Sequence, residues 1–474
     1  MIPVMWNTSS PYTAAKLLNV GMMLMAVVLA GCESGPDEAD LRATVEAEVS
    51  KRVTAELAAR EPTPTPTVAP RLTATPHQQG PSADPNATAN PAASGPQDSV
   101  ASPALSVPEH ARYPAWAQNC SGEGTVQFAN SPLDLEIISY IQPYGQVVGG
   151  HVTPIDHMYL ALEDPSLGRD AYEVRAIQDG LIFDIGRRDI SAETNQPQAS
   201  DWRVDIGHTC TFVSYLDLMT SLAPEIEAAW TPTQGGQTGA WDGVPVKAGQ
   251  VIGYIGDHAL DFGVYDYGIT LPGFINPSAY FEREPWKVHT VDPFPYFPTG
   301  IRETLLAKSI RTAEPRAGKI DYDIAGAFSG NWFELDTDWY NGVNQRKYWE
   351  GHLSIAPNAI DPTLWVIAIG HLDTDNNNFV MIGDADPAQS ALGLAPARYE
   401  LKQYMTYIPA KPSLLWWNEP SVEGEIFGVK LFPGNPGSVL LEMPEPGLLK
   451  AEVFLDRSPD EIAGFTDSAK LYSR

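Results

Sequence analysis

The chain has 474 residues with 39 Gly, 42 Pro, 10 % aromatic and 19 % charged residues, enough length for two or three cored domains built of short strands and many turns. Its net charge of −29 repels phosphate backbones and anionic headgroups, which argues against nucleic-acid binding. An acidic surface is compatible with cationic ligands or divalent metals, and solubility accounts for it more simply.

Residues 1–31 place Lys16 before an apolar run, Leu17 to Leu29, that ends Leu29-Ala30-Gly31-Cys32. The pattern resembles a bacterial lipoprotein signal peptide. That resemblance implies export and lipidation of Cys32, hence a chain lipid-anchored to the bacterial cell membrane, facing the outside or the periplasm; an uncleaved anchor is the alternative, for which the run is short. Disulfides persist outside the cytoplasm. Cys120 and Cys210 are then the remaining pair and are expected to bridge, against the alternative of two buried free thiols.

Residues 32–60 read as a helical stalk: from 37 to 60 there is no Pro or Gly, and Leu41, Val45, Val49, Val53 and Leu57 recur every fourth residue. Self-association near the membrane and a solvated stalk are both open readings of that stripe. Residues 61–108 are rich in Pro, Thr and Ala and cannot bury a core, so they read as an extended linker that tethers a folded head.

The first folded domain is expected over 109–300. Strands are expected at Leu135–Ile141, Met158–Leu162, Glu173–Arg175, Leu181–Ile185, Trp202–Ile206 and Thr211–Leu216, with a helical patch at Ala223–Trp230. Val244–Val246 and Gln250–Gly256 read as two short strands joined by a glycine turn at Ala248-Gly249. The next strand, Leu260–Tyr265, puts Leu260, Phe262 and Val264 on one face and Asp261, Gly263 and Tyr265 on the other, with His258 and Asp261 at the lip of the unit. A second β domain is expected over 310–474, with strands at Asn331–Leu335, Tyr348–Ile355, Leu364–His371, Asn378–Ile382, Ile426–Phe432, Ser438–Met443 and Leu449–Leu455.

Several of these segments, taken together over about 145–270, resemble lysostaphin/LytM-type zinc metallopeptidases, peptidoglycan endopeptidases built on a duplicated hybrid β motif. Ala176 to Ile182 is similar to the family's A-x-x-D-G-x-V, Thr211–Leu218 to the strand ending Y-x-H-L, GVPVKAGQVIGYIG to V-x-x-G-Q-x-I-G-x-x-G, and LDFGVYD to L-H-F-E-V. The resemblance implies a mostly β fold and a zinc ion held by a His, an Asp four residues later and the second His of His-x-His, with two further histidines assisting the water.

Mapped onto this chain, Asp156 takes the place of the ligand Asp. The position four before it is Val152, with His151 one step away, and His157 follows the Asp. The His-x-His positions are Ala259 and Asp261, with His258 shifted one place upstream, and the Y-x-H-L histidine is Asp217. Zinc thus has His151, Asp156, His157 and Asp261 as its candidate ligands, and His258 and Asp217 stand in the catalytic places. Two readings follow: a non-catalytic module that binds the cell wall or an envelope partner through a groove that has lost its chemistry, or a divergent zinc metalloendopeptidase that cleaves peptidoglycan cross-link peptides. His208, after Gly207 at a strand end, reads as a turn residue. The VPVKAGQVIG segment also resembles lipoyl- and biotinyl-carrier domains, but Lys247 lacks their flanking residues.

In the C-terminal part, Gly330-Asn331-Trp332 resembles the G-x-W opening of lipocalin-like barrels. Trp339, Tyr340, Tyr348, Trp349 and Trp365 are expected to pack a core rather than line a ligand cup. Asp373, Asp375, Asn377 and Asp384 fall at oxygen-ligand spacings of a calcium loop, but Asn replaces its central Gly and strands flank it, so a hairpin turn is the simpler reading.

Overall fold

The computed structural model describes residues 120–474 apart from 191–196, 230–242, 343–346, 373–376, 384 and 408–427. The signal, stalk and linker expectations, together with Trp230, Ile426, Asp373, Asp375 and Asp384, lie outside the described residues. What is described is mostly β, 40 % strand, in two parts: a pair of sheets and a closed eight-stranded barrel.

The first part contains β1 (Ile138–Gln142), β2 (Met158–Leu162), β3 (Tyr172–Arg175), β4 (Gly180–Ile190), β5 (Pro197–Gly207), β6 (Phe212–Met219), β7 (Ser221–Leu222), the short helix α1 (Pro224–Ala229), β8 (Val244–Val246), β9 (Val251–Ile255) and β10 (Leu260–Asp266). Seven strands form one antiparallel sheet in the order β1-β2-β10-β6-β5-β4-β8, and β3-β9-β7 form a second. The alternation read in β10 holds: Leu260, Phe262 and Val264 join the main apolar core with Ile182, Val204 and Leu216.

β8 and β9 do not pair with each other. The turn between them is a corner that carries the chain from one sheet to the other, as does the turn between β3 and β4. Gly249 sits in that corner at φ +80°, a conformation glycine adopts without a Cβ penalty. The two corners are stapled together. Ala176 N–H donates to the Gln250 carbonyl at 2.9 Å and Gly249 N–H to the Ala176 carbonyl at 2.8 Å, while Asp179 accepts from Ala248 N–H at 2.9 Å and pairs with Lys247 Nζ at 2.8 Å. Cys120 and Cys210 form the expected disulfide, tying the start of the described chain to the β5–β6 bend. His208 in that bend is a turn residue as read: its ring bonds the Asp179 carbonyl at 2.9 Å and Ser214 Oγ at 2.8 Å.

After β10 the chain runs through short 3₁₀ turns to helix α2 (Thr299–Lys308) and enters the barrel. The barrel consists of β11 (Gly330–Glu334), β12 (His352–Pro357), β13 (Trp365–Ile369), β14 (Asn378–Ile382), β15 (Ala397–Lys402), β18 (Gly437–Glu445), β19 (Leu448–Leu455) and β20 (Lys470–Ser473), each paired with its neighbour and β20 closing on β11. A hairpin of β16 (Tyr404–Tyr407) and β17 (Gly428–Leu431) lies between β15 and β18. Trp332 fills the interior with Leu353, Ile367, Phe379, Leu401 and Leu441. Its indole N–H donates to the Phe328 carbonyl at 2.8 Å, and the Arg474 guanidinium lies 3.9 Å from the ring centre.

Of the other aromatics expected in a core, Trp365 of β13 packs against the barrel core, and Tyr340 and Trp349 are buried in clusters outside it. Trp339, Tyr340, Tyr348 and Trp349 lie on 3₁₀ turns rather than strands, and Trp339 is 38 % exposed. Tyr340 packs with Phe333 and Tyr280 against the outer wall of the barrel, and its hydroxyl donates to Glu284 at 2.5 Å. That outer wall faces the sheet part, with a 2.8 Å bond from Asn331 Nδ2 to the Tyr280 hydroxyl.

Candidate functional site

On the face of the large sheet opposite the main core, strand register sets the site residues in rows. Tyr159 of β2, Asp261 of β10 and Asp217 of β6 are directly opposite one another. In the next row stand Gly263, Tyr215 and Asp205. A Cβ on Gly263 would collide with the Tyr215 ring, so glycine at this position is what lets that ring lie flat against Tyr265, 5.5 Å away. Asp156 and His157 precede β2 and project onto the same face.

The structure therefore brings together Asp156, His157, Asp261 and Asp217, all buried. Asp261 is not at the lip. His157 bridges the two aspartates: Nδ1 is 3.2 Å from Asp156 Oδ1, and Nε2 is 3.4 Å from Asp261 Oδ2 and 3.1 Å from the Tyr159 hydroxyl. The second oxygen of Asp156 accepts from the Tyr265 hydroxyl at 3.3 Å. His258 is turned away, its Nε2 bonded to the Leu218 carbonyl at 2.8 Å and its Nδ1 to Asp257. His151 is on the exposed side of a tight turn with Val148, its ring 5.8 Å from that of His157.

Cations that the sequence reading did not single out balance these carboxylates. Arg188 of β4 grips Asp217 with its two terminal guanidinium nitrogens, Nη1 at 2.9 Å, and the Leu218 N–H donates to the same carboxylate at 2.6 Å. Leu218 adopts φ +64° to do so, a strained value for a branched side chain at a site. Arg203 of β5 makes two bonds to Asp205, at 2.8 and 2.9 Å, and stacks 4.0 Å from the centre of the Tyr215 ring. Lys287 is 2 % exposed and 3.9 Å from Glu284.

Burial by itself would raise Asp156, but Lys287 and His157 outweigh it and hold its carboxyl well below the usual range. Burial opposes a charge on His157, yet Asp261 and Asp156 raise it above its ordinary value. Burial pushes Asp261 up to about 7, against the pull of His157 and with a push from Asp217. Burial likewise opposes the charge on Asp217, and Arg188 overrides it, lowering that carboxyl.

A metal ligand set needs lone pairs that converge on one point. Here both nitrogens of His157 and both oxygens of Asp156 are engaged by neighbours, and Asp217 is taken by Arg188. The His151 ring stands edge-on to that of His157, where desolvation and the charges of His157 and Lys287 lower its pKa to about 3. In this arrangement the four candidate ligands do not fit a zinc ion. Among the described residues, Asp261 Oδ1 is a site atom that is buried and has no hydrogen-bond partner.

The segment that carries His151, Asp156 and His157 is held from the barrel side. Ser354 Oγ of β12 donates to the Val152 carbonyl at 2.5 Å, and Asn377 Nδ2 to the Gly149 carbonyl at 2.8 Å. Trp349 packs on Gly150 and Val152. Asn377, a candidate calcium ligand by spacing, is thus part of this clamp.

Protein-family models do not match the chain, and neither do curated proteins. Two structures of Helicobacter pylori Csd3, from hexagonal and orthorhombic crystals, are similar to it at 18 % and 16 % identity, with TM-scores of 0.21 and 0.19. Each match covers 40 % of this chain, and 40 % and 42 % of those chains respectively, so the likeness spans about two-fifths of Csd3's own length.

Proposed function

We propose that the chain is an exported, lipid-anchored envelope protein whose LytM-like sheet has exchanged its metal site for an internally balanced His–carboxylate network. On this reading it is a non-catalytic module that binds cell-wall peptide or an envelope partner. The observation that carries it is the bridging of Asp156 and Asp261 by His157, with both ring nitrogens facing carboxylate oxygens. An imidazole so placed is stabilised as a cation and has no lone pair to offer a metal or a water. The Arg188–Asp217 pair puts a guanidinium and a carboxylate where the resemblance expects an assisting histidine.

The test is metal analysis of the full chain, extracted in detergent without chelator, followed by calorimetric titration with zinc and sedimentation with purified cell wall. The expected result is zinc far below one per chain, no saturable zinc uptake, and wall sedimentation that survives Asp156→Ala.

A divergent zinc endopeptidase is the second reading, and Asp261 Oδ1 is the observation that favours it, since a buried carboxylate oxygen without a partner is costly unless something binds it. On that reading His157 would have to release at least one aspartate before Asp156, Asp261 and either His151 or His157 could hold an ion. Close to one zinc per chain, with wall lysis abolished by Asp156→Ala, would replace the first reading by this one.

A further inference from the structure

At the end of the barrel where β13, β14 and β15 meet the 383–396 connection lies a cavity of about 210 Å³, lined by Trp365, Met381, Gly383, Asp386, Pro387 and Tyr399. The rest of the barrel interior is filled by Trp332, Leu353, Ile367, Phe379 and Leu441, so this is an end pocket in an otherwise packed barrel. Three features mark it. Tyr399 is 1 % exposed, and among the described residues its hydroxyl has no hydrogen-bond partner. Buried hydroxyls are normally paired, and one left open at a cavity wall awaits an occupant. Gly383 lies so close to the Tyr399 ring that a Cβ would be 2.6 Å from it, so the absence of a side chain there helps keep the ring in place.

Asp386 supplies the charge. Its Oδ1 accepts the Ala388 N–H at 2.9 Å and its Oδ2 lies 3.5 Å from Gln389 Nε2, so its own turn fixes the carboxylate at the rim. No basic side chain is among the lining residues. Trp365, half-buried, contributes an aromatic wall and Met381 an adaptable apolar one. The geometry points to a binding site for a small organic ammonium: a cation against Asp386 and Trp365, a polar hydrogen for the Tyr399 oxygen, and a ring-sized apolar body against Met381. The size agrees, since a cavity of about 150 Å³ accepts benzene. The net charge of −29 would enrich such cations near the surface.

Phenethylammonium is the probe, titrated calorimetrically into the detergent-solubilised full chain, with 2-phenylethanol as its neutral counterpart. Saturable binding is expected, at least ~tenfold weaker for the alcohol and for Asp386→Asn, and several-fold weaker for Tyr399→Phe. Tyr399→Phe keeps the ring and so the packing, and an unchanged urea midpoint for that variant ties its lost affinity to the hydroxyl. Hydrogen exchange with the probe bound should slow at 381–383, 385, 386 and 399. The proposal is overturned if no saturable heat is seen, if the alcohol binds as tightly as the ammonium, if Asp386→Asn binds like the parent chain, or if the slowed amides lie outside the barrel.

Discussion

The site face of the large sheet and the interior of the barrel are both buried β surfaces, filled by opposite chemistry. Against the sheet lie Asp156, His157, Asp205, Asp217 and Asp261, each with a neighbour of opposite charge or a hydrogen-bonding hydroxyl. Inside the barrel lie Trp332, Ile355, Ile367, Phe379, Leu401 and Leu441. An apolar interior depends on filled volume, whereas a charged layer depends on protonation and on every ion keeping its partner. The stability of the two regions should therefore answer to different perturbations.

Trp332→Ala should have the largest effect. A lost buried aromatic costs about 3–5 kcal/mol, read as a lower urea midpoint that changes little with pH. Equal loss from an exposed substitution such as Leu394→Ala would break the contrast. Replacing Cys120 and Cys210 by Ser should cost about 2–4 kcal/mol, because the bridge closes a loop of 90 residues; exchange-rate mapping should place the loosening in the sheets and not in the barrel.

Acidity should separate the regions next. Asp261 ionises near 3.8 when unfolded and about 7 when folded, so between those values the folded state holds a proton that the unfolded state releases, and its contribution falls as pH rises. His157, raised above 6.5, adds stability that is full below that value and is lost as pH climbs past its folded value. Asp156 and Asp217, both lowered from 3.8, add stability above that range which is lost on stronger acidification. Arg188 and Arg203, both held above their ordinary value against burial by Asp217 and Asp205, stay charged throughout. The sheet's urea midpoint should thus decline from about pH 4 to pH 7 and beyond, and Asp261→Asn should flatten the decline by a few kcal/mol, at roughly 1.4 kcal/mol for each of about three pKa units. The smallest effect concerns the joint between the regions: Ser354→Ala removes its bond to Val152 and should cost about 0.5–1.5 kcal/mol, with faster exchange at 149–157.

Much of this fold is legible in the sequence where apolar runs are short and bounded. Met158–Leu162 and Asn378–Ile382 are strands to the residue. β15 escapes notice because Arg398 and Glu400 interrupt its apolar pattern at outward positions, and β20 because it is only four residues long, with Lys470 on the face of Tyr472 and Leu471 turned out. The corner at Ala248-Gly249 reads as a hairpin because local pattern records turns and not which sheet each strand joins. The carboxylates and His157 are legible through the family spacing and strand alternation. Their counter-charges are not, since Arg188, Arg203 and Lys287 come from strands and turns that only the sheet order brings near. A hint exists in the two-residue steps Arg203/Asp205 and Tyr215/Asp217, which put polar groups at every second position of buried strands.

The clamp on the 149–152 segment ties the inheritance of the two regions together. A Cβ on Gly150 would stand 3.2 Å from the Trp349 ring and push it aside, and the carbonyls of Gly149 and Val152 are spoken for by Asn377 and Ser354. A change on either side is readily tolerated when the other side changes to match. Sheet and barrel should therefore drift as a pair through a lineage, and a graft that exchanges one for a distant counterpart should carry residues 349, 354 and 377 along with 149–152.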